Sequence, residues 1–210
     1  FLESGESKTG QGSRIAFFSS LAYILLLIST TLVPLINQSF SEMAIRARSS
    51  LAPYPVRSRA EEMMLGSGLV VFGTATVLLL VSLPVTGQTL RPAGLLLNLL
   101  VFTLAVLTLS HLLSSLIRKK TAITAVSTVL SLGMAFLSGA FIPQPVMGQV
   151  PLILARGFPL YYFIHANHQL GSLSGMTADL LIQLAFALSF FLVSLLIQRY
   201  AGRARGQLNP

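Results

Sequence analysis

Residues 37–66 read NQSFSEMAIRARSSLAPYPVRSRAEEMMLG, the longest polar interval between two apolar runs that are each long enough to cross a bilayer. The interval contains two helix-start patterns in which a serine precedes a glutamate by three residues, Ser39 with Glu42 and Ser58 with Glu61. In such a capping box the hydroxyl and the carboxylate satisfy free backbone N–H groups at the start of a helix. The stretch therefore predicts two helices.

A proline-rich turn separates the two predicted helices. Pro53 and Pro55 interrupt any helix that reaches them, because proline lacks the N–H group and clashes with the preceding turn. The second helix then continues into the next apolar run, with Glu61 and Glu62 in its first turn, where the helix dipole favours negative charge. A plain solvated loop between two spans is the alternative interpretation.

The composition places the chain in a membrane. Of its 210 residues 53% are hydrophobic and only 10% are charged, with a mean hydropathy of +0.77. Soluble domains carry about 25% charged residues. The absence of cysteine excludes a disulfide framework and a thiolate metal site.

Five apolar runs approach the ~20 residues that a spanning helix needs. Their length and their lack of two-residue alternation favour helices over strands. The sequence therefore predicts an all-α integral membrane protein whose spans are Ile15–Ile36, Leu65–Thr86, Ala93–Ile117, Thr121–Ile142 and Leu180–Gln198.

These runs also divide the chain. Residues 1–13 are polar, rich in Gly and Ser, and predicted to be a linker outside the membrane. Residues 14–200 form the transmembrane domain, which includes a cytosolic segment at 41–63 and an outer loop at 143–177. Residues 201–210 are the expected cytosolic tail.

Basic residues predict the orientation. If the first span runs from outside to inside, ten of the 14 Lys and Arg residues lie on the cytosolic side, as the positive-inside rule requires. The net charge is +8, and the basic residues that cause it flank apolar runs. This position indicates a role in membrane orientation and not a nucleic-acid partner. We expect the N-terminus outside, the C-terminus in the cytoplasm, and an earlier span that carries the chain across a plasma membrane, such as a bacterial inner membrane.

Small and polar residues mark helix contacts within the spans. Ser131, Ala135 and Gly139 recur every four residues, a spacing that lets helix backbones approach closely in lipid. The polar residues inside spans are few, namely Asn98, His111 and Gln183, with Asp179 at a predicted helix start. His111 is interpreted as a packed, hydrogen-bonded side chain, and Asp179 as a capping or dipole partner.

The outer loop combines proline with aromatic residues. The loop begins at Pro143. Pro151 and Pro159 can each open a short helix, and Gly171 can end the second of these helices. Both pieces are too short to span and too apolar for water, so we expect interfacial or re-entrant helices. Tyr161, in the cluster Tyr161–Phe163, suits the aromatic belt at the membrane surface. His165 and His168 have no carboxylate nearby in sequence and are interpreted as surface residues.

Two stretches together resemble the type-2 permease family of ATP-binding-cassette exporters. Leu137–Pro143, followed by Pro151 and by Phe158–Tyr161, is similar to the family's Ser-Gly-aliphatic-Pro segment and its later Pro-aromatic segment. Glu42 with the basic residues after it, and then Ala52–Val56, resemble the family's cytosolic loop. Glu61 and Gly66 continue that pattern.

The resemblance implies a permease that carries spans two to six of six and dimerises as a homo- or heterodimer. It implies a separate ATPase subunit that holds the ATP and Mg, so this chain has no cofactor, metal or catalytic residue of its own. No GxxxxGK[ST] phosphate loop occurs in the sequence. The resemblance also implies a substrate that is amphipathic, lipid-linked or drug-like.

The resemblance gives the polar interval a role. Ser39–Leu51 is predicted to be a cytosolic coupling helix that docks the ATPase through its apolar stripe, with two arginines beside the stripe. The turn at Pro53 and Pro55, with Ser58 and Glu61, would hold this helix at an angle to the next span. The coupling residues are Glu42, Met43, Arg46, Ala47, Arg48 and Leu51.

Two other classes remain open at this point. A secondary transporter or channel needs no ATPase, but it should show charge inside the membrane or a repeated pair of broken helices. A membrane enzyme should show paired catalytic groups, and no such constellation occurs in the sequence.

Cysteine labelling tests the orientation. Because the chain has no cysteine, a single cysteine at Ser49 should resist a membrane-impermeant reagent added outside intact cells and react after permeabilisation. A cysteine at Ser172, in the outer loop, is the control and should react in both cases. Labelling at Ser49 from outside would contradict the orientation.

Overall fold

The computed structural model describes residues 3–39, 56–86, 92–117, 119–169 and 173–206. All regular structure within these ranges is helical. The α-helices in the described ranges are α1 (Glu3–Ser39), α2 (Val56–Thr86), α3 (Pro92–Leu116), α4 (Lys120–Ser138), α5 (Gln149–Ala155), α6 (Pro159–His168) and α7 (Leu173–Gly206).

Five of the described helices are long and apolar enough to cross a membrane, as the sequence predicts. The candidate spans are Ala16–Ser39, Met64–Ser82, Gly94–Leu116, Lys120–Ser138 and Gly175–Arg199. The all-α membrane architecture and the number of spans are therefore confirmed.

Three helices extend further than their apolar runs. The helix α1 begins at Glu3, inside the stretch predicted as a linker, and α7 runs from Leu173 through the predicted tail to Gly206. The helix α2 begins at Val56, so Ser58 lies inside the helix and is not its N-cap. An apolar run underestimates a spanning helix, because propagation adds one hydrogen bond per residue whatever the polarity of the side chain.

The helix α4 is shorter than its apolar run, which reaches Ile142. It ends at Ser138 because Gly139 adopts a left-handed conformation with φ 97°. The backbone N–H groups of Gly139 and Ala140 both donate to the carbonyl of Ala135, which closes the helix end. Gly139 therefore ends the helix, a role that its place one turn after Ala135 in the predicted packing face does not indicate.

The helices α1 and α3 form the centre of the bundle. The helix α1 packs against α2, α3, α4 and α6, whereas α3 packs against α1, α2, α6 and α7. The core between them is apolar and includes Leu25, Leu26, Val33, Phe102 and Val106, none of which is accessible to solvent. The outer faces of α2, α4 and α7 carry exposed leucines and valines, as expected for a lipid-facing surface.

A short polar contact joins α1 to α4. The hydroxyl oxygens of Thr30 and Ser131 lie 3.2 Å apart, and the Ser127 hydroxyl donates to the carbonyl of Thr30 at 2.7 Å. Ala135, one turn further along α4, is fully buried. Small side chains let the two backbones approach closely enough for these hydrogen bonds.

The bundle has two ends, which we name by their contacts. The elbow end is where α1 and α3 finish and α2 begins, and the Asn37 amide of α1 donates to the Ser114 hydroxyl of α3 there. The loop end is where α4 finishes and α5 and α6 follow.

Two glycine substitutions in α4 should have opposite effects on stability. Gly139→Ala should destabilise the fold, because a left-handed L-residue costs roughly 1–2 kcal/mol and the new Cβ would lie 2.5 Å from Cγ of Gln144. Gly133→Ala is the control: its Cβ meets nothing within 4 Å, and alanine is preferred over glycine inside a helix by about 0.5–1 kcal/mol. Thermal unfolding in detergent micelles measures both, and equal shifts would contradict this account of the helix end.

Candidate functional site

The loop end is closed by a helix that enters the bundle without crossing it. After α4 the chain passes Pro143, a 3-10 turn at Gln144–Val146 and α5, and then Pro159 opens α6. The helix α6 packs against α1, α3, α4 and α7, with Leu160, Phe163 and Ile164 almost fully buried. The prediction of two short helices is confirmed, and α6 is the one inserted among the spans.

Side chains tie the preceding turn to α6. The Gln144 amide donates to the carbonyl of Ser138 at 2.8 Å and to that of Tyr161 at 3.3 Å, so one side chain joins the end of α4 to α6. The Tyr162 hydroxyl donates to the carbonyl of Arg156 at 3.0 Å. The turn and α6 are therefore held to each other by side chain–backbone hydrogen bonds at both ends of α5.

Three buried amides attach α6 to α3 and α7. The Asn98 amide nitrogen donates to the carbonyl of Phe163 at 3.0 Å and to Oδ1 of Asn167 at 2.9 Å, while the Gln183 amide donates to Oδ1 of Asn98 at 3.0 Å. Asn98 and Gln183 are completely buried, and Asn167 is 4% exposed. We call Asn98, Asn167 and Gln183 the amide cluster.

The amide cluster retains unused hydrogen-bonding capacity. Nδ2 of Asn167 and Oε1 of Gln183 are buried and have no hydrogen-bond partner among the described residues. A buried, unpaired polar atom costs roughly 1–3 kcal/mol. The hydrogen bonds of the cluster therefore hold α6 in place, while two of its buried polar atoms have no partner among the described residues.

A histidine–carboxylate contact lies beside the amide cluster. Nδ1 of His165 is 2.8 Å from Oδ2 of Asp179, whose side chain is buried, and the Gln169 amide lies 3.3 Å from the same nitrogen. Burial, together with the neighbouring His165, lowers the pKa of His168 below its ordinary value, so this imidazole is mainly neutral at pH 7. Among the described residues no group of His, Cys, Asp and Glu could hold a metal ion.

Two sequence-based interpretations are corrected here. Asp179 is not a helix-start residue, because α7 begins at Leu173 and the carboxylate points to α6. His165 does have a carboxylate partner, although none is near it in sequence. Both errors arise because α6 and α7 meet in space, which the sequence pattern does not reveal.

A cleft with polar and apolar walls occupies the elbow end, where α1, α2, α3 and α7 meet. It has a volume of about 230 Å³. We call it the elbow cleft. It is lined by Asn37, Gln38, Met64, His111, Ser114, Ser115, Phe191, Ser194, Leu195 and Gln198.

Hydrogen bonds hold the walls of the elbow cleft in place. The Gln38 amide donates to the carbonyl of Ile117, and the Gln198 amide donates to the Ser194 hydroxyl at 3.1 Å. That hydroxyl also lies 3.4 Å from the carbonyl of His111. The amides and hydroxyls of the walls are therefore largely paired, and Met64, Phe191 and Leu195 add apolar surface to the lining.

The predicted site residues fall into three groups. Those of the coupling helix and of its proline turn, 42–55, lie outside the described residues. Ser58 and Glu61 lie in the first turns of α2, and Ser131 and Ala135 lie buried between α4 and α1. Pro151 is in the first turn of α5, and the Tyr161 ring stacks on His165 with centroids 6.0 Å apart.

A comparison with protein families decides the class of the molecule. A family model described as ABC-2 type transporter matches residues 1–169. The chain belongs to this family. It is therefore a transmembrane component of an ATP-binding-cassette transporter. In this family the membrane subunit works with an ATPase subunit. No curated protein and no solved structure matches the chain.

Several residues of this transporter chain escaped the sequence analysis. Asn98 and Gln183 were recognised as polar residues within spans, but their shared contact with Asn167 was not. A lone amide in an apolar span is energetically costly, so each of these residues needs a polar partner on another helix. That requirement could have indicated the contact. Thr30, which pairs with Ser131, gave no such signal because its hydroxyl also bonds within its own helix.

A double-mutant cycle tests the amide cluster. Asn98→Ala and Gln183→Ala should show a coupling free energy of about 0.6–1.7 kcal/mol, the average and the maximum for side-chain hydrogen bonds between membrane helices. In the control cycle Asn98→Ala is paired with Ser189→Ala, an exposed residue of α7 that bonds only within its helix. That pair should be additive within about 0.3–0.5 kcal/mol. Additivity in both cycles, measured by unfolding in detergent micelles, would contradict the network.

Proposed function

We propose that this chain is the membrane half of an exporter driven by a separate ATPase subunit that binds ATP and Mg. It pairs with a second permease subunit and moves an amphipathic, lipid-linked or drug-like molecule out of the cytoplasm. The family match carries this proposal. The sequence adds that the chain has no phosphate loop of its own.

The asymmetry of the bundle supports transport from the elbow end to the loop end. The elbow end has an open cleft, whereas at the loop end α6 packs among the spans. Along α3, the buried Phe102 and Val106 lie between Asn98 of the amide cluster and His111 of the elbow cleft. This arrangement suits a resting state that accepts cargo on one side and blocks leakage to the other.

The direction of transport follows from the orientation. The basic residues predict that the elbow end faces the cytoplasm, in a plasma membrane such as a bacterial inner membrane, with the N-terminus outside. Lys119, Lys120 and Arg199 are exposed at this end. Cargo that enters the elbow cleft would therefore come from the cytoplasmic side, which makes the protein an exporter.

The helix α2 provides the path for coupling. It is continuous from Val56 to Thr86 and begins directly after the proline turn. A force that the coupling helix at Ser39–Leu51 passes through the proline turn to the start of α2 would reach Met64, in the wall of the elbow cleft, along one continuous helix. ATP binding on the partner could thus change the shape of the cleft.

Charge reversal in the coupling segment tests this function. Arg46→Glu with Arg48→Glu, and separately Leu51→Asp, should release the ATPase subunit or uncouple ATP hydrolysis from transport while the chain still inserts. Lys119→Glu with Lys120→Glu is the matched control, because it makes the same charge change at exposed residues of the elbow end outside the segment. Copurification and ATP hydrolysis in proteoliposomes are the measurements.

The main competing role for the segment is attachment to the inner leaflet. In that case the arginine variant loses about 1 kcal/mol of lipid attachment per charge but keeps a fully coupled ATPase. Retention of coupled ATPase by both variants would contradict the docking role. An unmodified chain that copurifies with no ATPase would contradict the proposed function as a whole.

A further inference from the structure

The contact between His165 and Asp179 joins the short helix of the loop end to a span. His165 lies on α6 and Asp179 on α7, and the two helices pack against each other. Nδ1 of His165 is 2.8 Å from Oδ2 of Asp179, and among the described residues this carboxylate has no other hydrogen-bond or ion-pair partner. The Asp179 side chain is only 8% exposed, so its charge depends on this imidazole.

The geometry leaves the second nitrogen of His165 to take up a proton. An ionised carboxylate can only accept a hydrogen bond, so Nδ1 carries the hydrogen of the contact. Nε2 has a long contact of 3.5 Å with the Gln169 amide, and the His165 side chain is 40% exposed, so water can deliver a proton to it. Protonation there turns a neutral hydrogen bond into an ion pair, and charge-assisted hydrogen bonds are about twice as strong as neutral ones.

The groups of α6 and of the turn before it oppose this protonation only weakly. The Tyr161 ring stacks on the His165 imidazole with centroids 6.0 Å apart, and a positive charge over an aromatic face is favourable. Burial, together with His165, lowers the pKa of His168, so that side chain stays neutral to a lower pH than an ordinary histidine. Arg156 is exposed, next to Tyr162, and its charge is screened by water.

The other helices packed on α6 bring no further titratable side chain to His165 within the described ranges. On α1, Tyr23 packs on an aromatic ring of the turn after α4. On α3, His111 lines the elbow cleft. Lys119 and Lys120 stand at the start of α4, which is the elbow end of that helix. Asp179 of α7 is therefore the charged group that His165 meets.

We propose that the His165–Asp179 contact is a pH-sensitive switch that holds α6 against α7 more firmly when the solution at the loop end is acidic. Histidine is the side chain that ordinarily changes charge between about pH 5 and 8, whereas aspartate ordinarily stays ionised above about pH 4. Between these limits acidification charges the imidazole beside an ionised carboxylate, and a rise in pH removes that charge. The inference goes beyond the proposed function and rests on it in one respect, namely that α6 blocks the export path.

The reactivity of a buried thiol measures how firmly α6 is held. Ala166, the residue after His165, is fully buried in a small cluster with Met176 and Leu180 of α7, so Ala166→Cys should react only when α6 leaves α7. The chain has no cysteine of its own, and Gly148→Cys, at an exposed position, gives the reference rate at each pH. The full chain, with any ATPase subunit that copurifies but without nucleotide, is placed in nanodiscs and treated with a small uncharged disulfide reagent at about pH 7.5 and about pH 5.5, either side of the ordinary histidine pKa.

Acidification should raise the protection of the buried thiol, relative to the reference, about two- to fivefold, the range for a partly exposed ion pair. His165→Asn keeps a neutral donor in the position of Nδ1 but cannot become charged, so it should abolish the rise. Asp179→Asn, which removes the charge on the other side, should abolish it as well. His168→Asn, the same substitution at the neighbouring exposed histidine, is the control and should keep it. Each variant carries the same reporter, so the ionisation of the thiol cancels in the comparison.

Protection that is equal at both pH values, or that falls on acidification, would overturn the inference. So would a rise that survives His165→Asn, or a rise that His168→Asn removes. The assay contains neither nucleotide nor cargo, so its result is independent of transport. A chain that shows the expected protection but copurifies with no ATPase would contradict the proposed function and leave the switch standing.

Discussion

The arrangement of the loop end depends on one amide side chain. Asn98 lies in an apolar span where a lone amide would be costly, and it finds its partners on the backbone and side chains of two other helices. These hydrogen bonds fix α6 at a depth where its own apolar residues fill the space between α1, α3, α4 and α7. A helix of ten residues, too short to cross the membrane, thereby becomes part of the core.

The two ends of the bundle use polarity in different ways. At the loop end the polar groups are buried and mostly paired, so they hold helices together. At the elbow end they line an open cleft together with apolar side chains, and their hydrogen bonds hold its walls in place. Apolar side chains separate the two regions along α3. This contrast gives a physical basis for a resting state that receives cargo at one end while α6 is packed among the spans at the other.

The sequence predicted the features that depend on local composition. Five spans and the short helices near Pro151 and Pro159 follow from runs and prolines along the chain. The spacing at Ser131 indicated a helix contact but not its partner, α1. The family resemblance carried by the polar interval and the outer loop agrees with the family match. Helix ends were predicted less well, because Gly139 stops a helix through its backbone conformation while the apolar run continues.

The functional contacts could not be predicted in the same way. Asn98 and Gln183 are 85 residues apart, and the elbow cleft collects residues from four helices. A sequence can indicate that a polar residue inside a span needs a partner, but the partner is chosen by how helices pack. His165 and Asp179 illustrate this limit, since each was interpreted without the other.

The central claim is that ATP on a partner subunit reshapes the elbow cleft through α2. Spin labels on cysteines at Met64 and Gln198, introduced into a chain that has no cysteine of its own, report the distance between α2 and α7 across the cleft. With the ATPase subunit bound, addition of MgATP and vanadate should shorten this distance, and release of nucleotide should restore it. A distance that is the same with and without nucleotide, in a complex that hydrolyses ATP, would contradict the account.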